Sequence, residues 1–60
     1  MKAFVAEDPK RPGWYAYVSN RTYPSGKHVM VWMENIHTCT WFKTEAEAGQ
    51  WGLAIPIVVG

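Results

Sequence analysis

Cys39 is the only cysteine in a chain of 60 residues, so no disulfide can staple the fold within one molecule. That is a severe constraint at this length. A chain of this size buries only about 60% of the surface it exposes when unfolded, roughly 6,000 Å². If about 60% of that is apolar, at about 25 cal/mol per Å² the gain is about 90 kcal/mol. Ordering the residues at about 1.5 kcal/mol each costs the same amount. Some compensating device is therefore expected. Four Trp, three Tyr and two Phe supply one candidate, because each aromatic ring can bury about 150–250 Å². A partner, or a second copy, covering what one copy leaves exposed is the other. The free thiol also suits a reducing compartment, which predicts a cytoplasmic location.

Charge narrows the partners. Six Lys and Arg against five Asp and Glu leave a net +1, far from the basic excess of a domain that grips duplex phosphates. No long apolar stretch follows Lys2, so no signal peptide is expected. The apolar run Leu53–Val59 falls well short of the roughly 20 residues of a membrane helix. No membrane association is expected.

Prolines and glycines divide the chain into short pieces. Lys2–Ala6 reads as a short first strand, and the Pro9, Pro12 and Gly13 that follow make a loop. Trp14–Ser19 and His28–Glu34 are rich in aromatic and β-branched residues and predict strands, with a turn around Pro24-Ser25-Gly26 between them. Asn35-Ile36 reads as a two-residue turn into a further strand, Thr38–Phe42. Thr44 and Glu47 form the signature of a reciprocal capping box, predicting a short helix that ends near Trp51 with Gly52 as its left-handed cap. Pro56 bars continuation, and Ile57-Val58-Val59 is read as an edge strand or a cover for the core. The expectation is an α+β fold, residues 1–60 forming a single small β-β-β-α domain. In it a three-stranded antiparallel meander packs against one short C-terminal helix, and a terminus adds an edge strand.

Alternation sorts the strand residues into two faces once registers are assumed. The Asn35-Ile36 turn pairs Trp32 with Cys39 and Met30 with Trp41, and the first hairpin is taken to pair Val18 with Val29. Trp14, Ala16, Val18, Val29, Val31, Met33, Thr38, Thr40 and Phe42 then lie beneath the helix. Tyr15, Tyr17, Ser19, His28, Met30, Trp32, Glu34, His37, Cys39, Trp41 and Lys43 share the opposite face, and a one-residue slip would exchange the assignment.

The segments Gly13-Trp14-Tyr15-Ala16-Tyr17-Val18, Gly26-Lys27 and Phe42-Lys43-Thr44-Glu45-Ala46-Glu47-Ala48, with Trp51, resemble the arm-binding (AP2-like) N-terminal domain of phage integrases. The likeness spans about Gly13–Trp51. It implies a three-stranded sheet on a following helix, a phage or mobile-element origin, and a sheet that enters the DNA major groove. Where that family carries mostly Arg and Lys on the outward strand positions, this chain has Tyr15, Tyr17, Met30, Trp32, Glu34 and Trp41.

Two readings of the aromatic face stand side by side. A terminus covers Trp32 and Trp41 as a second small core, or the face is a protein interface, where Trp and Tyr are preferred anchors. In the functional reading Tyr15, Tyr17, Met30, Trp32 and Trp41 carry a non-enzymatic binding module with a protein partner, one that inhibits a larger host or defence complex. The competing class is a DNA-binding accessory protein using Arg21, Lys27, His28 and Lys43, and a third is a homodimer whose sheets pack face to face. Glu34, His37 and Cys39 have no familiar ligand spacing, so no metal or cofactor is expected. Nor does any nucleophile–base motif suggest catalysis.

Overall fold

The computed structural model describes all 60 residues, Met1–Gly60. Both ends of the chain enter the sheet. β1 (Lys2–Glu7), β2 (Tyr15–Thr22), β3 (His28–Met33) and β4 (Leu53–Val58) form one antiparallel sheet in the order β3-β2-β1-β4. The α+β class holds, with four strands rather than a meander of three. β1 lies inside the sheet, and β4 runs along it in full register from Lys2↔Val58 to Glu7↔Leu53.

The loop joining β1 to β2 is organised by one carboxylate. Asp8 accepts from the Lys10 amide and from Arg11 Nε, both at 2.9 Å, and the Arg11 guanidinium stacks 4.5 Å over the Trp14 ring. Gly13 completes the turn at φ 93°, a conformation that costs a glycine little. The Lys10 amide holds the Asp8 carboxyl below its ordinary range, Arg11 adds to the effect, and burial opposes both.

β1 and β2 then splay apart. Their ladder pairs only Glu7 with Tyr15, and the fork beyond is filled by the chain between β3 and the helix. Phe42 exchanges two backbone hydrogen bonds with Phe4, at 2.9 and 2.7 Å. On the other side of the wedge the Thr40 amide donates to the Ala16 carbonyl at 3.1 Å. Thr40 Oγ1 accepts from the Val18 amide at 2.7 Å, a side chain standing in for a missing backbone acceptor. Thr38–Phe42 is therefore not the third strand of a meander. Ile36 does not suit the positive φ of a two-residue hairpin; instead Asn35 accepts from the Thr38 and Cys39 amides through its carbonyl and from the His37 amide through Oδ1. The turn carries the chain across the sheet rather than back along β3.

α1 (Glu45–Gly49) is five residues long. Thr44 Oγ1 caps it by accepting from the Glu47 amide at 3.2 Å, and the Glu47 carboxylate accepts the Thr44 hydroxyl rather than the Thr44 amide, so the capping box closes by one half only. Gly52 is not a left-handed cap. Only Gly13 and Gly26 have positive φ. A Cβ at position 52 would sit 2.5 Å from the Glu7 carbonyl oxygen, so the residue is small because backbone passes against backbone there.

The helix packs on β1 and β4 alone. Beneath it Ala6, Ala16, Phe42 and Ala48 form the buried cluster, ringed by Phe4, Val18, Met30, Trp32, Trp51 and Ala54. The distal hairpin, Asn20 to His28, is solvent-exposed throughout.

Candidate binding face

The register between β2 and β3 decides which side chains face away from the helix. Val18 pairs with Met30, one residue from the expected Val29, and an irregularity follows between Val18 and Thr22. Because strand side chains alternate, that single step turns all of β3 over. Met30 and Trp32 thus lie on the helix side, against the buried cluster, and do not share a face with Tyr15 and Tyr17. Val31 and Met33, expected in the core, take their place beside Tyr17 and Tyr15. Phe42 keeps its expected side, against the buried cluster, as does Trp41 opposite it, while the Thr40 hydroxyl is turned to the Val18 amide.

The face away from the helix can now be assembled. Across β3 and β2 it carries the pairs Met33–Tyr15 and Val31–Tyr17; across β1 and β4 it carries Glu7–Leu53, Val5–Ile55 and Ala3–Ile57. The turn after β3 lies on this side, since the Thr38 hydroxyl donates to Met33 Sδ at 3.2 Å. The Ile36 carbonyl anchors the turn, accepting from Trp41 Nε1 at 2.8 Å and from Cys39 Sγ at 3.3 Å. Val5 is the one large side chain with no exposure at all. The second face thus has a small centre of its own, finished by the loop rather than by a terminus alone.

Around that centre the face stays open. Tyr17, Val31, Trp41, Leu53 and Ile55 are five of the exposed large apolar side chains, and by alternation all five point away from the helix. The others, Met1, Tyr23 and Val58, belong to the chain ends or the hairpin tip. Trp41 is 43% exposed even though its indole N–H is satisfied, so its ring is held in one place with one side to solvent. Beside it Ile36, His37 and Trp41 form a cleft of about 310 Å³ with Ile57–Gly60. The tail's part in this cleft was not legible in the sequence, because it depends on β4 lying beside β1.

Of the basic residues, Arg21, Lys27 and His28 gather on the distal hairpin, where His28 Nδ1 lies 3.0 Å from the Ser19 carbonyl. Lys43 precedes the helix cap and lies elsewhere in the chain. Cys39 is buried, and burial pushes its thiol up from the ordinary range, keeping it protonated at neutral pH. No group of three or more His, Cys, Asp or Glu side chains is placed to hold a metal ion. No helix is long and apolar enough to cross a membrane. Comparison of the chain with protein-family models, with curated proteins and with solved structures finds no match to any of the three.

Proposed function

We propose that the chain is a non-enzymatic binding module, working in the cytoplasm, that engages a protein partner through the sheet face opposite its helix. One observation carries the reading: Tyr17, Val31, Trp41, Leu53 and Ile55, all exposed, converge on that single face. Single apolar residues are ordinary on a protein surface, whereas five exposed on one sheet face make that face the candidate interaction surface. Trp41 is the natural anchor, being aromatic, pre-positioned by its bond to the Ile36 carbonyl and flanked by a cleft. Tyr15 and Tyr17 remain in the proposed contact set; Met30 and Trp32 support it from the core side. The resemblance to integrase arm-binding domains adds a phage or mobile-element origin to the proposal, with inhibition of a larger complex as the mode of action.

The test is affinity capture from lysate with and without nuclease, using the natural chain and Trp41→Ala. A protein that survives nuclease and is lost with Trp41→Ala, while the variant keeps its far-ultraviolet spectrum, supports the reading. Capture that vanishes on nuclease treatment, weakens steeply with salt and depends on Lys27 overturns it in favour of nucleic acid.

A further inference from the structure

The two edges of the sheet are not equally protected. On β4, Met1 and Val59 exchange backbone bonds at 3.2 and 2.8 Å. Alternation therefore makes Ala3–Ile57 and Val5–Ile55 the bonded pairs and turns the backbone of Ala54, Pro56 and Val58 outward. Phe4, opposite Pro56, directs its own amide and carbonyl to Phe42 instead. Pro56 thus sits where its missing N–H costs no ladder bond and where it denies an incoming strand a donor, a common guard for an exposed edge.

β3 has no such guard. The Ala16 carbonyl and Val18 amide face Thr40, so Tyr15 and Tyr17 make the bonds to Met33 and Val31. Met30 and Trp32 then turn their backbone groups outward, and no hydrogen bond within the chain reaches them from outside the β2 ladder. His28–Met33 contains no Lys, Arg, Asp, Glu or Pro, and the first charges stand just beyond its ends, at Lys27 and Glu34.

We infer that β3 is a pairing edge for β3 of a second copy, joining two sheets into one of eight antiparallel strands. A two-fold axis normal to the sheet requires opposed residues to share a face, so their numbers must sum to an even value. With Val31 opposite the second copy's Val31, Met30 meets Trp32 through the outward backbone groups and Val29 meets Met33. His28 meets Glu34 at both ends. Every opposed pair in that register is then apolar or complementary, with Lys27 opposite Asn35 outside them. The two exposed faces become one, with Tyr17 and Val31 of each copy side by side at its middle. This rests on the free edge and its end charges and does not depend on what the apolar face binds.

Sedimentation equilibrium of the purified chain, across loading concentrations up to the millimolar, is the experiment. A concentration-dependent rise toward twice the 6.9 kDa chain mass is expected. His28→Glu places carboxylates opposite each other twice, and Glu34→Lys removes the carboxylate that His28 meets at both ends; each should weaken association about tenfold. The double variant His28→Glu/Glu34→Lys restores opposite charges and should recover it. Both sites, His28 and Glu34, are exposed, so the monomer fold is kept. The charge swap also separates edge pairing from face-to-face packing, which would leave association unchanged by it. A chain that stays monomeric throughout, or a dimer indifferent to the single charge changes, overturns the inference.

Discussion

On the helix side of the sheet the central residues are alanines. Ala6, Ala16 and Ala48 are fully buried, and the large rings of Phe42, Trp32 and Trp51 stand around them. On the other side the centre is a single valine, Val5, and its neighbours Tyr17, Val31, Trp41, Leu53 and Ile55 are open to solvent. Small residues at the first centre let a five-residue helix approach the sheet closely, which a bulkier row would prevent. The second centre has only a loop to cover it, and a loop cannot spread over four strands. Two faces of similar apolar content therefore end with different roles, one closed by packing and one left available.

The sharpest way to break this contrast is to truncate adjacent rings on opposite sides. Phe42→Ala should cost about 3–5 kcal/mol, as much as a core of this size ordinarily supplies, so the variant is expected to be largely unfolded. Trp41→Ala, one residue away, removes a ring already 43% exposed and should cost about 1 kcal/mol or less. Urea denaturation followed by far-ultraviolet circular dichroism measures both. Equal losses would mean that the open face is core after all.

A second pair of variants asks how close the closed face is. Gly52→Ala puts a Cβ against the Glu7 carbonyl oxygen at 2.5 Å and near the Trp32 ring at 3.3 Å. Backbone cannot step aside as a side chain can, and a loss of about 1–3 kcal/mol is expected. Gly49→Ala, with nothing within 4 Å of the added atom, should be neutral or gain up to about 1 kcal/mol from helix propensity. A Gly52→Ala variant as stable as the parent would show that the connection from α1 to β4 is looser than the short approach requires.

Much of this division was legible in the residues, and the part that was not has a physical cause. β2, β3 and the Thr44 cap announce themselves locally, through β-branched and aromatic runs and a hydroxyl three residues before Glu47. Ala16 and Phe42 lie on the side expected of them, Phe42 because it bonds to Phe4 rather than to β3. Met30 and Trp32 do not, because their side depends on a register set by an irregularity near Ser19–Arg21, and nothing in the strand itself records a slip of one residue. The wedge is harder still. Thr40 and Phe42 look like a strand because they do bond like one, but to two different strands and for one pair each. Such a segment has strand composition without a ladder. Only Ile57-Val58-Val59 was open to reading as an edge strand, whereas β4 begins at Leu53, and its partner β1, more than 45 residues earlier in the chain, is a long-range contact that periodicity does not encode.

The wedge serves both faces, and Thr40 is where it can be weakened without changing either. Thr40→Val keeps the shape and removes Oγ1, leaving the Val18 amide without its acceptor at 2.7 Å. An unsatisfied amide in a part-buried position should cost about 1–2 kcal/mol. Thr40→Ser keeps the oxygen and should recover most of it. If Thr40→Ser is as destabilised as Thr40→Val, the methyl group rather than the hydrogen bond is what matters at the fork.

The smallest effect is expected at Asp8, in the loop where β1 and β2 are still paired and which belongs to neither face. Its carboxyl is held below the ordinary value of 3.8 chiefly by the Lys10 amide, with Arg11 assisting. A carboxyl with a depressed folded value binds fewer protons when folded than when unfolded. Its contribution is therefore complete above the unfolded value and is lost as pH falls through the folded one. Unfolding midpoints recorded from neutral to acid pH should decline as the solution passes below 3.8. Asp8→Asn should remove that part of the decline while keeping an oxygen to accept the Lys10 amide. If the natural chain and Asp8→Asn lose stability in parallel on acidification, the loop is not where the two halves of the sheet are tied, and the fork filled by Thr40 and Phe42 carries that connection alone.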